Sequence, residues 1–139
     1  MSRKYFLYFM NGETNVQLLI KNMQPELQAG AYVFAQVDDL SMIDIHRVIG
    51  LFKEKEAYTV IVEKHIADEW KLSYQYEAAW IILTVHSSLE AVGLTAAFSN
   101  ALSNAGISCN VVAAFYHDHV FVDVKDAAKA MEVLLNMAE

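Results

Sequence analysis

The chain has 139 residues, of which 55% are hydrophobic and 19% charged. That balance excludes a disordered chain, and the length suits one domain or two very small ones without disulfide staples. Ten Lys and Arg against 17 Asp and Glu give a formal charge of −7, which leaves no basic stripe for a nucleic-acid backbone.

Even the densest cationic cluster is neutral, since Lys53 and Lys55 alternate with Glu54 and Glu56. Cys109 is the single cysteine. It excludes an internal disulfide and a multi-cysteine zinc site, and it fits a reducing compartment. The apolar run 5–10, behind Arg3 and Lys4, is shorter than the roughly 7–15 residues of a signal-peptide core. No stretch approaches the roughly 18 apolar residues of a membrane span. The expectation is a soluble, cytoplasmic protein with neither a nucleic-acid nor a membrane partner.

Taken in order, residues 1–13 read as an extension in which 5–9 form either a strand or a tail. Val16, Leu19, Ile20 and Met23 recur at helical spacing, with Asn11 or Thr14 as the cap. Pro25 ends that helix, and Gly30 precedes an apolar strand at 31–37. Residues 38–41 read as a turn, and 42–45 show no period. Residues 48–52 and 58–62 predict a hairpin around Lys53-Glu54-Lys55-Glu56, followed by a helix over 63–70. Trp70, Tyr74, Tyr76 and Trp80 form an aromatic string between the halves, either a packing seam or a dimer contact.

The second half is patterned more strongly. Ile81, Leu83 and Val85 share one strand face, with Ile82 and Thr84 on the other. Leu94, Ala97, Phe98, Ala101, Leu102 and Ala105 mark a helix face. Gly106 stops the helix by taking a left-handed cap. Residues 107–116 are apolar on both faces apart from Ser108 and Asn110, which predicts a central strand. A turn at His117-Asp118 leads to Val120, Val122 and Val124, alternating with Phe121 and Asp123. A last helix turns Ala127, Ala128, Met131, Leu134, Leu135 and Ala138 inward.

The strand 81–85, the loop His86-Ser87-Ser88-Leu89-Glu90-Ala91-Val92-Gly93, the Gly-Leu-Thr-Ala start of the helix and its Ala-Gly-Ile-Ser finish resemble an ACT domain. ACT domains are the small-molecule-binding modules of amino-acid-regulated enzymes. From about Thr14 the chain also resembles a bacterial family of stand-alone proteins with two ACT-like halves. Tyr32-Val33-Phe34, Phe52-Lys53-Glu54-Lys55-Glu56 and Tyr116-His117-Asp118-His119-Val120-Phe121-Val122 carry that likeness. Ala57, where a glycine is expected, and the extra N-terminal segment depart from it.

The resemblance implies an α+β, ferredoxin-like sandwich of βαββαβ units. It places an ACT-like subdomain at 14–76 and an ACT domain at 77–139. The second unit then lacks its last strand, because residue 139 follows directly on the final helix. An open apolar edge invites aggregation, so a strand exchanged from the first half is expected to complete it.

In ACT domains the ligand lies at the loop before the first helix, against a neighbouring unit. The resemblance thus implies ligand binding by Ser87, Ser88, Leu89, Val92, Gly93, Leu94 and Thr95. Chemistry supports the position, because a helix start offers unpartnered N–H groups and the positive dipole end to a carboxylate. Gly93 lets a ligand approach the backbone. Ser87-Ser88-Leu89-Glu90 equally fits a capping box, which would satisfy the helix start internally.

His117, Asp118 and His119 are the second candidate. Two histidines two apart on extended chain share a face and can line the pocket, with His86 near them. A plain turn explains Asp118 equally well. Zinc needs three or four arranged ligands, and no metal is assigned. Cys109 reads as buried and inert, and His46 and His65 as surface groups. No catalytic residue and no cofactor is expected. The expected function is non-catalytic regulation by capture of a small molecule, an amino acid by resemblance, in a homodimer. The alternative is a structural or interaction homodimer with a vestigial site.

Overall fold

The computed structural model describes residues 15–85 and 93–138; the expectation for residues 1–13 lies outside them. In chain order the elements are α1 (Val16–Asn22), β1 (Gln24–Leu27), β2 (Tyr32–Val37), β3 (Gly50–Lys53), β4 (Tyr58–Glu63) and α2 (Lys64–Glu69). They continue with β5 (Glu77–Thr84), α3 (Leu94–Asn104), β6 (Cys109–Ala113), β7 (Asp118–Asp123) and α4 (Ala127–Met137). Two compact units result, one of Ala29–Ala79 and the other of Met1–Gln28 with Trp80–Glu139.

In the Ala29–Ala79 unit the strand order is β3-β4-β2, and the first residues of β5 pair along β2. All pairs are antiparallel. Alternation puts Val33, Ala35 and Val37 of β2 and Val60 and Val62 of β4 on one face, where they bury against Ile66 and Ala67 of α2. The helix between β2 and β3 is reduced to two 3-10 turns, Leu40–Met42 and Ile45–Arg47. Asp39 and Asp44 cap them by accepting the Ser41 and His46 N–H groups, which explains the absent helical period there. Numbered within the unit, the strands run 4-1-3-2, the ferredoxin-like order.

The other unit repeats that order as β1-β5-β7-β6. Its fourth strand is β1, which pairs antiparallel from Gln24↔Thr84 to Leu27↔Ile81. The strand completing the second half therefore comes from the first half, as expected, and β5 serves both units. Leu19 and Met23 bury into this unit together with Ile81, Leu83, Phe98, Leu102, Phe121 and Leu134. Each such side chain contributes about 1.5–3 kcal/mol by leaving water.

Four readings of the sequence are corrected. Residues 24–27 are a strand, not only the end of a helix; Pro25 is tolerated because β1 pairs only with β5 among the described strands. Residues 109–113 end the sheet order instead of occupying its centre, and Val112 is exposed. The central place falls to β7, where Val120, Phe121 and Val122 are all buried. A run apolar on both faces does not say which strand gains neighbours on both sides. The hairpin turn lies at 114–117, closed by Ala114 N–H to His117 C=O at 3.0 Å, and Asp118 already opposes Ala113 in β7. In α4 the inward residues are Ala130 and Leu134, while Leu135 is exposed. Adjacent apolar pairs such as Leu134-Leu135 fit two helical registers, and packing selects one.

Candidate functional site

Helix α3 starts behind Gly93, whose φ of 95° is left-handed and disfavours any side chain. A Cβ there would meet only Val16 Cγ2 at 3.8 Å, so conformation, not space, calls for glycine. Gly93 is exposed, and its C=O accepts the Ala97 N–H at 2.9 Å. As N-cap it offers no side-chain acceptor to the first-turn N–H groups. Leu94 is buried and can offer a ligand only its backbone, whereas Thr95 is exposed. The Thr95 C=O accepts the Ser99 hydroxyl. Ser87, Ser88, Leu89 and Val92 lie outside the described residues, as do His86 and Glu90. The capping box read at Ser87-Ser88-Leu89-Glu90 likewise lies outside the described residues.

The histidine cluster opens β7. The Trp80 indole N–H donates to His119 Nδ1 at 3.0 Å, with the rings 5.7 Å apart. Only an unprotonated Nδ1 accepts that bond, so the neutral His119 ring carries its proton on Nε2. Burial, and then the like charge of His117, hold the His119 pKa below the usual histidine value. The two imidazoles lie edge to face at 6.5 Å. His117 Nδ1 is buried with no hydrogen-bond partner among the described residues. Burial raises the Asp118 pKa, partly opposed by His117. Phe121 stacks on Trp80 at 6.1 Å and 15°, and fixes the indole from its other neighbour on β7.

This side of the unit is an aromatic wall holding the His119 imidazole, whose Nε2–H is left to donate a hydrogen bond. Among the described residues no three His, Cys, Asp or Glu side chains gather to hold a metal. The Cys109 thiol is half-buried, and burial raises its pKa, which disfavours the reactive thiolate. Sequence reading placed Trp80 in a packing seam or a dimer contact and missed its bond to His119. The signal was available, because a buried indole N–H needs an acceptor.

A doubled ferredoxin-like fold with a shared strand defines a pair of ACT-type modules. One ACT-domain family model matches residues 11–79 and another ACT-domain model matches residues 75–136, and the chain belongs to the ACT-domain family. ACT domains are non-catalytic regulatory modules, which gives the chain a regulatory, small-molecule-binding role.

Among solved structures it is similar to a protein of unknown function from Vibrio cholerae, described as a possible transport protein. The two are 41% identical with a TM-score of 0.80 over 91% of this chain and 98% of that one. An allosteric aspartate kinase from Clostridium acetobutylicum is 12% identical, with a TM-score of 0.63 over 84% of this chain and 34% of that one. The ligand-free regulatory subunit of aspartate kinase from Thermus thermophilus is 9% identical, with a TM-score of 0.59 over 83% and 97%. The last two share the fold. No curated protein matches the sequence.

Proposed function

We propose that this protein captures an amino acid at the start of α3 and works as a cytoplasmic homodimer whose assembly or partner binding the ligand biases. The observation that carries this reading is the exposed, left-handed Gly93 at the N-cap, which offers no side-chain acceptor. First-turn N–H groups and the helix dipole there suit a carboxylate. Ser87, Ser88, Leu89, Val92, Gly93, Leu94 and Thr95 make up the loop side of the site. His117, Asp118 and His119 make up its second wall, where the buried His117 Nδ1 has no hydrogen-bond partner among the described residues. The fold shared with aspartate kinases, described as allosteric or as regulatory subunits, supports the choice of ligand class. Capture shifts an equilibrium only if the two states differ in affinity for the ligand.

Thermal-shift screening of the full chain against the common amino acids tests this. One or a few amino acids raise Tm by several degrees, in line with binding linkage, and Gly93→Asp removes the shift while circular dichroism shows a folded chain. No response to any amino acid sinks the reading. A second reading, an interaction homodimer, draws on β3, where Phe52 is 73% exposed beside Leu51 on an end strand. If that reading holds, Phe52→Lys dissociates the dimer in sedimentation experiments.

A further inference from the structure

Where β2 ends, the Ala29–Ala79 unit holds a cavity of about 270 Å³. That is at the lower edge of the ~300–1,000 Å³ of small-molecule sites, so it suits a compact ligand. It opens where two chain segments part. Gln36 and Ser73 form an isolated antiparallel bridge, with the Gln36 N–H on the Ser73 C=O at 3.3 Å. Beyond it β2 runs out toward the 3-10 turn Leu40–Met42, while Lys71 and Leu72 belong to the turn that ends α2. Val37 is buried, and Ile43, Trp70 and Leu72 are half-buried against the same core. These four give the cavity apolar walls. The Trp70 wall is fixed, because the Arg47 guanidinium lies 5.5 Å over its ring and pairs with Glu69 at 2.6 Å.

Two opposite charges stand at the rim. Asp38 and Lys71 both line the cavity and are both exposed, yet they form no ion pair with each other. Their charged groups are thus further apart than the ~4 Å of such a pair. Asp38 accepts the Gln36 side-chain N–H on Oδ1 at 3.2 Å, which leaves Oδ2 for another donor. The Lys71 ammonium takes part in no ion pair or hydrogen bond among the described residues. Lys71 also sits at φ 58°, a left-handed value that glycine takes without strain. The turn alone therefore does not call for lysine.

We infer that this cavity is a site for a small zwitterion whose two charges are set apart by a methylene chain, an ω-amino acid. The ammonium end meets Asp38, the carboxylate end meets Lys71, and the methylenes lie against Ile43 and Leu72. Charge-assisted contacts of this kind are the strong ones. An α-amino acid carries both charges on one carbon, so it bridges the rim poorly. A plain amine or a plain carboxylate meets one attracting and one repelling charge. The site uses no residue of the α3 proposal and does not depend on it.

Titration of the isotope-labelled full chain with 4-aminobutanoate, followed by amide NMR, tests the inference. Resonances of Asp38, Ile43, Leu72 and Ser73 move and saturate. Its isomer 2-aminobutanoate binds roughly tenfold more weakly, the loss of one charged hydrogen bond. Butanoate and butylamine do not saturate. Lys71→Gly and Asp38→Asn each weaken 4-aminobutanoate by roughly tenfold for the same reason. Glycine suits φ 58° and asparagine still accepts from Gln36, so both variants keep the fold. Gly93→Asp leaves this binding unchanged, which separates a failure here from a failure of the α3 reading. No saturable movement at these four residues, equal binding of 2-aminobutanoate, or unaltered affinity in either rim variant overturns it.

Discussion

The indole N–H of Trp80 meets Nδ1 of His119 at 3.0 Å, between neighbouring strands β5 and β7. The bond exists only with a neutral imidazole acceptor at Nδ1. It therefore opposes protonation in the same direction as burial and the His117 charge. Histidine NMR titration finds the folded pKa of His119 below 6.5, the usual value. Trp80→Phe moves it upward. The unfolded chain binds the proton more readily, so stability from this group is complete above about 6.5 and falls as pH drops through the folded value. An unshifted His119 in the Trp80→Phe variant would refute the role given to the indole.

Asp118 works in the opposite direction. Burial raises its folded pKa above 3.8, so its contribution is favourable below that value and is lost as pH rises through the folded value. Asp118→Asn removes an ionisation that burial disfavours. Its Tm exceeds that of the parent at pH 7, and the advantage shrinks toward pH 3.5. Melting curves across that range check this; an advantage independent of pH assigns the gain to something other than charge.

Two helices end in the same hydrogen-bonded turn with different residues at the strained position. After α3, Gly106 N–H reaches Ser103 C=O and Ile107 N–H reaches Leu102 C=O, both at 2.9 Å. After α2, Lys71 N–H reaches Asp68 C=O at 3.1 Å and Leu72 N–H reaches Ala67 C=O at 2.9 Å. Gly106 has φ 77° and Lys71 has φ 58°, the left-handed values this Schellman turn requires. Lys71→Gly relieves about 1–2 kcal/mol of strain, partly offset by greater freedom in the unfolded chain. The net gain is about 0.5–1 kcal/mol. Gly106→Ala loses about 1 kcal/mol. Urea denaturation of both variants measures the two signs.

Residues 15–28 cluster with the end of the chain. Leu19 and Met23 are 3% and 2% exposed. Leu19→Ala and Met23→Ala each cost about 2–5 kcal/mol, and hydrogen exchange shows the loss in β5, α3 and α4. A fragment of residues 77–139 lacks both side chains and β1, and does not form a stable soluble monomer. A cooperative melt from that fragment contradicts the exchange of β1.

The second half of the fold was legible because its patterns are long: Leu94, Phe98 and Leu102 mark three turns of one helix face, and all are buried. The need for a borrowed strand was also legible, but its identity was not. Gln24-Pro25-Glu26-Leu27 has neither apolar alternation nor β-branched residues, so only pairing with β5 makes it a strand. Gly93 was singled out as a place where a ligand can approach the backbone, whereas its left-handed φ of 95° is visible only in the fold. The bond between Trp80 and His119 links residues far apart in sequence, and no local pattern encodes it. The cavity between Asp38 and Lys71 was hidden for the same reason, since it forms where the turn after α2 parts from the end of β2.

The shared use of β5 sets an order of assembly at the ribosome. The described strands of the Ala29–Ala79 unit follow one another in the chain, whereas β1 emerges well before β5 and must wait for it. At synthesis rates of ~5–20 residues per second, that wait lasts several seconds. Through it the nascent chain displays a lone edge segment to its neighbours. Pro25, which has no N–H to donate, and the charge of Glu26 make that segment a poor template for a stranger's strand. The weak strand character that hid β1 from the sequence reading thus protects the chain until its partner arrives.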